Sequence, residues 1–323
     1  MSPSTVARYL NNSGYVSETN RQKIKAVIDE NIYIPNKAAQ GLKRNRTMTL
    51  GLITSESYPN MYFARVEGPL SAAADRAGYT LISMTSSYNY EKERQIIKSF
   101  AGSLVDGIIF NSPFSGERIE YVLQYNIPTL FVERLHGHRE IDGIKFDDIE
   151  VGRLAADEFI TNGHKKIAFI GMNKEDDVEY ERFKGFDDCL KDHGISIKEA
   201  HVVYIKYNEM RYGYEGAKQL LSAGDEITAL FVTGDLTLCG VLQYLYEKKI
   251  AVPDDISLIG LDNTYSEMCS PKISTIGFPY DVLADEIFAM ITNRIDDRTA
   301  KPVQKTLAPL LIRRDSVRDL KKN

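Results

Sequence analysis

The stretch TLGLITS (residues 49–55) decides the fold class of this 323-residue chain, since it is a short apolar run that ends in small polar residues. Continuous apolar runs of this length are typical of parallel strands buried on both faces of a sheet. Helical patterns alternate with further apolar runs after it, including VDGIIFNS (105–112) and IPTLFVE (127–133). This alternation of strand and helix predicts an α/β fold.

The same pattern of strands and helices then begins again. The apolar runs of this second part are KKIAFIGM (165–172), TALFVTGD (228–235) and ISLIGLDN (256–263). The sequence therefore predicts two similar doubly wound parallel-sheet subdomains around a cleft, preceded by a small all-α head. Because ligands of open parallel sheets bind at the carboxyl ends of strands, we expect the polar residues that end these runs to face the cleft.

The first 49 residues differ from the rest of the chain in pattern and in charge. They contain eight basic and three acidic residues, whereas the remainder contains 32 basic and 42 acidic ones. Ser2 and Ser17 are helix-capping residues, and each precedes a helical pattern. Asn36 begins a third, shorter helical stretch that is marginal on its own. A basic helical head on an acidic body indicates nucleic-acid binding, and a solvated basic helix pair is the alternative.

Composition argues against several other classes of protein. The chain has no window of 18 unbroken apolar residues and no signal-peptide pattern, so we expect neither a transmembrane helix nor secretion. Cys189, Cys239 and Cys269 are odd in number and widely spaced, which predicts reduced thiols in a cytoplasmic protein. No glycine-rich nucleotide motif follows any strand, so we expect no cofactor.

Several stretches resemble, in order, the LacI/GalR (lactose-repressor) family of bacterial transcription regulators. SPSTVARYLNNSGYVSETNRQKIKAVIDE (2–30) is similar to the family's recognition helix, loop and third helix, and YIPNKAAQGL (33–42) is similar to its hinge. The matching core landmarks are VDGIIF, PTLFVE, GHKKIAFIG, ERFKGF and ISLIGLDN. The resemblance runs from residue 2 to residue 315 and implies a core like that of periplasmic binding proteins.

The resemblance also implies domain boundaries. These are a helix-turn-helix head without its first helix (1–35), a hinge helix and linker (36–47), an N-terminal core subdomain (48–146 with 276–300), a C-terminal core subdomain (147–275 with 301–315) and a tail (316–323). In a helix-turn-helix the second helix enters the major groove and the first crosses the backbone behind it. We therefore expect the chain as given to bind operator DNA weakly or not at all.

The resemblance assigns DNA contacts to the head and the hinge. The implied DNA-contacting residues are Ser2, Pro3, Ser4, Thr5, Arg8, Asn11, Ala39 and Leu42. Pro3, Ser4 and Arg8 are expected at base edges, where arginine recognises guanine. Leu42 is expected to insert between base steps of the minor groove beside Ala39.

The resemblance also assigns residues to an effector site in the cleft. The implied effector-binding residues are Ser55, Asn60, Phe63, Glu133, Arg182, Tyr207, Asp235, Asp262 and Tyr280. A guanidinium at Arg182 presents fixed donors to hydroxyls or a carboxylate. Pairing of Arg182 with Glu179 or Glu181 is the alternative, as is helix capping by Asp262. Gly234 stands where the family often has asparagine, so the identity of the effector does not carry over.

The resemblance implies a homodimeric regulator, most simply a repressor, whose operator affinity is controlled by a small effector. The expected effector is a sugar that induces, and corepression is the lesser alternative. Its partners are operator DNA, the effector and a second copy, with no membrane. A stand-alone sugar-binding protein of the periplasmic kind is the first alternative, and the missing signal peptide and the basic head argue against it. An α/β enzyme is the second alternative. The five histidines are scattered and no GxSxG motif occurs, so no catalysis is expected.

Overall fold

The structure, a computed structural model, describes residues 2–10, 13–31, 46–56, 59–112, 120–173, 176–222, 224 and 226–322. The chain divides into two compact units, residues 1–47 and residues 48–323. Within the described parts of both units, no helix has the length and apolar character needed to cross a membrane.

The first unit holds helices α1 (Pro3–Leu10) and α2 (Glu18–Asn31). Ser2 caps α1, because its hydroxyl accepts a hydrogen bond from the amide of Thr5 at 3.3 Å. The short helix predicted to begin at Asn36 lies outside the described residues.

The second unit contains two sheets, each with its own helices, and the chain passes between them three times. The first subdomain begins with β1 (Thr49–Thr54), α3 (Met61–Arg76), β2 (Thr80–Thr85), α4 (Tyr90–Gly102), β3 (Gly107–Asn111), α5 (Glu120–Leu123), β4 (Thr129–Val132) and β5 (Asp142–Phe146). The second subdomain follows with α6 (Asp148–Thr161), β6 (Ile167–Met172), α7 (Asp177–Asp192), a 3₁₀ turn (Glu199–His201), β7 (Val202–Ile205), α8 (Met210–Ser222), β8 (Ala229–Val232), α9 (Asp235–Lys248), β9 (Ser257–Leu261) and β10 (Ser274–Gly277). The chain returns to the first subdomain for α10 (Tyr280–Asp296) and β11 (Gln304–Leu307), and to the second for β12 (Leu310–Ile312).

Both sheets have six strands with the same crossover pattern. The first has the order β11-β5-β4-β3-β1-β2, and the second has the order β12-β10-β9-β8-β6-β7. All neighbours are parallel except β12, which pairs antiparallel with β10. The predicted fold class, two similar doubly wound subdomains behind a helical head, is confirmed.

The predicted boundary that placed residues 301–315 in one subdomain is wrong. Gln304–Leu307 pairs in register with Gly143–Phe146 and so forms the edge of the first sheet, while Leu310–Ile312 joins the second. This edge strand is only half buried, so it does not require a continuous run of apolar residues, and its sequence QKTL contains none. Residues 316–323, which were expected to form a tail, begin against the second sheet. The backbone oxygen of Ser316 accepts a hydrogen bond there from the amide of Leu258.

Aromatic stacking joins two of the crossing segments. Phe146, at the end of β5, stacks on Phe278, which precedes α10, with ring centroids 3.9 Å apart and an interplanar angle of 14°. Both rings are buried. The connections between the subdomains are therefore packed as a core rather than left as loops.

Two glycines bring α6 and α7 close enough to build the site described below. A Cβ atom added to Gly185 would lie 1.9 Å from the backbone oxygen of Ile149, and one added to Gly152 would lie 2.0 Å from the backbone oxygen of Arg182. The helix backbones are thus in direct contact, which places the first turn of α6 beside α7.

Candidate functional site

The two sheets bring polar residues at the carboxyl ends of their strands to either side of a cleft. Glu133 follows β4 in the first subdomain, and Asp262 follows β9 in the second. The hydroxyl of Tyr280, in the first turn of α10, donates a hydrogen bond to the backbone oxygen of Asp262 at 3.0 Å. This hydrogen bond joins the two walls of the cleft, which is where ligands of such sheets bind.

The guanidinium of Arg182, on α7, is the centre of the site. Its Nε donates to Asp148 Oδ1 and its Nη1 donates to Glu179 Oε1, both at 2.8 Å, and its side chain is 9% exposed. Burial lowers the pKa of Arg182, but the charges of Asp148 and Glu179 outweigh burial and raise the pKa overall. The guanidinium therefore stays charged. Its Nη2 has no hydrogen-bond partner among the described residues.

The carboxylate of Glu179 is fully satisfied by the protein. Its Oε2 accepts hydrogen bonds from the hydroxyl of Thr233 at 2.7 Å and from the amide of Met172 at 3.1 Å. The pairing of Arg182 with Glu179, which the sequence left open, is thus present, while Glu181 pairs with Lys145 instead. Because the pair leaves Nη2 of the guanidinium unused, it holds the arginine in place without excluding a ligand.

Asp148 is a member of the site that the sequence analysis missed. It is the first residue of α6 and is fully buried, and its Oδ2 has no hydrogen-bond partner among the described residues. Burial raises the pKa of Asp148, and Arg182 opposes that rise. A signal was available, because Asp148 is the second of two aspartates that follow the end of β5.

Glu133 and Asp262 are carboxyls held at unusual backbone conformations. Their backbone φ angles are 70° and 84°, in a region that residues other than glycine rarely adopt. Burial, with the charge of Asp148 added, raises the pKa of Glu133 to about 8 against the opposing charge of Arg182. Burial raises the pKa of Asp262 to about 7. Glu133 is 7% exposed, and its Oε1 has no partner among the described residues.

Two tyrosines and an asparagine complete this wall of the cleft. The ring centroids of Tyr62 and Tyr280 lie 6.1 Å apart, and the planes meet at 61°. The hydroxyl of Tyr62 donates to Asn111 Oδ1 at 3.3 Å. The side chain of Asn111 is fully buried, and its Nδ2 lacks a partner among the described residues. Neither Tyr62 nor Asn111 was among the predicted effector residues, although Asn111 ends one of the apolar runs whose polar ends were expected to face the cleft.

Four predicted effector residues have structural roles or outlying positions. Asn60 caps α3 through the Tyr62 amide, and Ser55 donates a hydrogen bond to a backbone oxygen and is buried. Phe63 is also buried, so it belongs to the core of the first subdomain. Tyr207 is 44% exposed and packs edge-on against Tyr212, in the first turn of α8.

The predicted role of Asp235 as an effector ligand conflicts with its contacts. Its Oδ2 accepts hydrogen bonds from the amides of Thr264, Tyr265 and Ser266 and from the hydroxyl of Thr264, and its Oδ1 accepts one from the hydroxyl of Ser266. The carboxylate is buried and is used to hold the loop after β9. Asp235 therefore positions Asp262 and its neighbours rather than facing a ligand.

Direct contacts also cross the mouth of the cleft. Arg134, next to Glu133, forms an ion pair through Nη1 with Asp176, the residue that caps α7. Its Nε donates to the hydroxyl of Ser112 at 2.8 Å. The hydroxyl of Tyr265 donates to the backbone oxygen of Pro59 at 2.8 Å. The Arg134–Asp176 and Tyr265–Pro59 contacts join the two subdomains, whereas the Arg134–Ser112 hydrogen bond lies within the first.

Most of the DNA-contacting residues predicted on the first helix lie at its start, and Arg8 lies in its last turn. Ser2, Pro3, Ser4 and Arg8 are exposed, and Thr5 is half-buried. The other predicted contacts, Asn11, Ala39 and Leu42, lie outside the described residues. In the part of the chain that the structure describes, no group of three or more His, Cys, Asp or Glu side chains is arranged to hold a metal ion.

Two stretches of the chain match known families. Residues 1–36 match the bacterial regulatory proteins of the lacI family, and residues 156–317 match the periplasmic binding protein-like domain. Among curated proteins, the HTH-type transcriptional repressor PurR of Escherichia coli O139:H28 is 30% identical over 323 residues, which cover 99% of this chain and 94% of the repressor.

Solved structures agree with this match. A complex of the transcriptional regulator CelR with cellobiose has a TM-score of 0.77 at 25% identity, and the alignment covers 98% of this chain and 96% of CelR. A Lac repressor dimer bound to operator and the anti-inducer ONPF has a TM-score of 0.84 at 23% identity, covering 98% and 95% of the two chains. The second likeness supports the fold alone.

Proposed function

Because the chain belongs to the LacI family and is a DNA-binding transcriptional regulator, we propose that a small polyhydroxylated molecule, most simply a sugar, binds in its cleft and controls its affinity for operator DNA. The observation that carries this proposal is a set of buried polar atoms without partners among the described residues, namely Glu133 Oε1, Asp148 Oδ2 and Asn111 Nδ2. Buried polar groups are normally hydrogen-bonded, so atoms of this kind beside a cleft indicate a ligand-binding site.

The chemistry of these groups suits hydroxyls. Carboxyl oxygens accept hydrogen bonds from hydroxyls, and the free Nη2 of Arg182 donates to them. Tyr62 and Tyr280 offer ring surface for the apolar face of a sugar, a role that must fall to Tyr or Phe because the chain has no Trp. The relative CelR was solved with cellobiose, which is the same class of ligand.

The head supplies the DNA-binding surface in this proposal. Two subunits of a homodimer in the cytoplasm present their α1 helices to successive major grooves of a pseudo-palindromic operator. Arg8 and Pro3 lie at base edges and Ser2 at a phosphate, while Leu42 enters the minor groove.

Control arises from the angle between the two subdomains. The Arg134–Asp176 pair and the Tyr280–Asp262 hydrogen bond form only when the walls of the cleft are close together. An effector that changes their separation changes the spacing of the two DNA-binding heads, and operator binding changes effector affinity by the same factor. Induction is the proposed direction.

A thermal-shift screen of the chain against neutral sugars, amino sugars and sugar phosphates tests the ligand. A ligand present at one hundred times its dissociation constant stabilises the folded state by about 2.7 kcal/mol. We expect a shift with at least one sugar, reduced in Asp262→Asn and unchanged in Glu215→Gln, a substitution on the exposed face of α8. Fluorescence anisotropy with duplexes selected from a random pool then measures DNA affinity with and without that sugar. No shift with any sugar would overturn the proposal.

A further inference from the structure

We propose that the effector carries a positively charged amino group, which binds between Glu133 and Asp262 beside the rings of Tyr62 and Tyr280. This inference rests on the proposed effector site and names the class of ligand that the site takes. An amino sugar is the simplest molecule that combines such a group with hydroxyls.

The first argument is the balance of charge in the cleft. The guanidinium of Arg182 binds the carboxyl groups of Asp148 and Glu179, and the charges of two further carboxyl groups, those of Glu133 and Asp262, also act on it. A buried charge without a partner is costly, so an excess of carboxylates favours a cationic ligand over a neutral one and disfavours a phosphate or carboxylate.

The second argument is that the cations nearest to Glu133 are already paired. Arg134 forms its ion pair with Asp176 across the mouth of the cleft. Lys145 binds Glu181, with Nζ and Oε2 2.6 Å apart. Arg182 has two of its nitrogens on Asp148 and Glu179. None of these cations contacts the carboxyl group of Glu133, whose Oε1 is unpartnered among the described residues and whose side chain is more than nine-tenths buried.

The third argument is the aromatic wall beside these carboxyls. The ring centroids of Tyr62 and Tyr280 lie 6.1 Å apart, and the Tyr280 hydroxyl donates to the backbone oxygen of Asp262 at 3.0 Å. Burial raises the pKa of Tyr62, and the neighbouring charge of Glu133 raises it further. Tyr62, Tyr280 and Asp262 are only partly buried and remain accessible from the cleft. Tyrosine faces attract cations and carboxylates bind them, which together form an ammonium site.

Without a ligand, a proton on Glu133 reduces the negative charge of the site. The pKa of Glu133 is raised to about 8, first by burial and then by Asp148, with Asp262 adding to the rise and Arg182 and Arg134 opposing it. An ammonium group placed beside Glu133 reverses this balance, lowers the pKa of the carboxyl and releases the proton. A neutral sugar at the same position leaves the proton where it is.

Isothermal titration calorimetry of the full chain at about pH 7, below the raised pKa of Glu133, separates these cases. The probes are matched triplets: glucosamine, glucose and N-acetylglucosamine, with the corresponding galactose and mannose series. Within a triplet only the group at one carbon changes, from ammonium to hydroxyl to acetamide. Titrations in buffers of different ionisation enthalpy measure the number of protons released on binding.

We expect the amine of one triplet to bind at least about tenfold tighter than its parent hexose, a difference of about 1.4 kcal/mol. We also expect its binding to release up to about one proton per site. Glu133→Gln should weaken amine binding about tenfold or more with a smaller effect on the parent hexose, and it should reduce proton release to the part that Asp262, with a pKa of about 7, contributes. Asp148→Asn, which keeps an oxygen for Arg182, is the second variant, and Glu215→Gln is the control.

Equal or tighter binding of the neutral hexose, or amine binding without proton release, would overturn the inference while the proposed sugar site stands. A complete lack of binding by all the sugars would overturn the proposed function and this inference with it. Melting temperatures of the variants identify any loss of affinity that comes from unfolding, and the wild-type triplets decide the question without any variant.

Discussion

Arg134 and Asp176 form an ion pair that joins the two subdomains across the cleft. Arg134 follows the strand β4 of the first subdomain, and Asp176 caps the helix α7 of the second. Asp176 therefore has two separate functions, because its Oδ1 accepts the cap hydrogen bond from the Val178 amide at 3.0 Å while its Oδ2 binds Arg134. The two functions can be separated by substitution.

Asp176→Asn should weaken effector binding while leaving the helix intact. Asparagine caps a helix as well as aspartate does, but it loses the charge that holds the cleft together. The pair is partly exposed, so we expect a loss of about 0.5–1 kcal/mol, or a twofold to fivefold rise in the dissociation constant. Calorimetry with the sugar found in the screen measures this. Asp147→Asn, at the equivalent cap of α6, is the control, and an equal effect in both variants would contradict the prediction.

Arg182→Met should destabilise the second subdomain strongly. The substitution leaves Asp148 and Glu179 buried without their shared cation, and removing one partner of a buried ion pair costs about 3–5 kcal/mol. Urea unfolding followed by tyrosine fluorescence and circular dichroism measures the free energy of unfolding. The exposed Arg153, which pairs with Glu150 on α6, provides the control, since Arg153→Met should cost less than about 0.5 kcal/mol.

Glu133→Gln should change how stability depends on pH. The pKa of Glu133 is raised from 4.5 to about 8 in the folded state. Between these values the native chain keeps a proton that the unfolded chain has released. The free energy of unfolding therefore falls as pH rises through this window, by up to about 1.4 kcal/mol per pH unit. This loss of stability is absent below the pKa of Glu133 in the unfolded chain and complete above its pKa in the folded chain.

The variant lacks this titration, so its free energy of unfolding should depend less on pH and exceed that of the wild type at the alkaline end. Unfolding in urea at about pH 5 and about pH 8, near the two limits of the window, measures the difference. Asp262, Asp148 and Glu179 also have raised pKa values and remain in both proteins. Parallel pH profiles for the two proteins would contradict the raised pKa of Glu133.

Gly185→Ala should separate α6 from α7 and thereby disturb the effector site. The new Cβ would lie 1.9 Å from the backbone oxygen of Ile149, which cannot yield as a side chain can. Overpacking of this kind costs about 1–3 kcal/mol or more, and the shift would lengthen the bond between Arg182 and Asp148. Gly68→Ala in α3 is the control, because nothing lies within 4 Å of its added Cβ and alanine favours helix by about 1 kcal/mol. Equal melting temperatures for the two variants would refute the close helix contact.

The sequence predicted the fold class and the family because both depend on local patterns. Apolar runs such as those ending at Ser55 and Asn111 mark buried parallel strands whatever the rest of the chain does. The family match confirms the prediction made from the stretches around Arg8, Arg182 and Asp262. The one error of topology was at Gln304–Leu307, where a half-buried edge strand lacks the apolar run that identifies its neighbours.

The site was only partly predictable, because a residue type at a strand end does not reveal what the side chain contacts. Asp235 and Asp262 both end apolar runs, yet the carboxylate of Asp235 accepts hydrogen bonds from the loop at Thr264–Ser266. Asp262 instead contacts the first subdomain, because its backbone oxygen accepts a hydrogen bond from Tyr280. Asp148 joined the site only because Gly152 and Gly185 allow two helices to touch.

The sequence by itself thus determined the order of strands and helices, the two-subdomain core, the basic head and the family, since each follows from periodicity, composition or motif along the chain. Only the tertiary structure decided which carboxyls share Arg182, which are left without partners, and how far burial raises the pKa of Glu133. Those properties arise from distances between segments remote in sequence and from the exclusion of water around them, and neither is encoded at any single position.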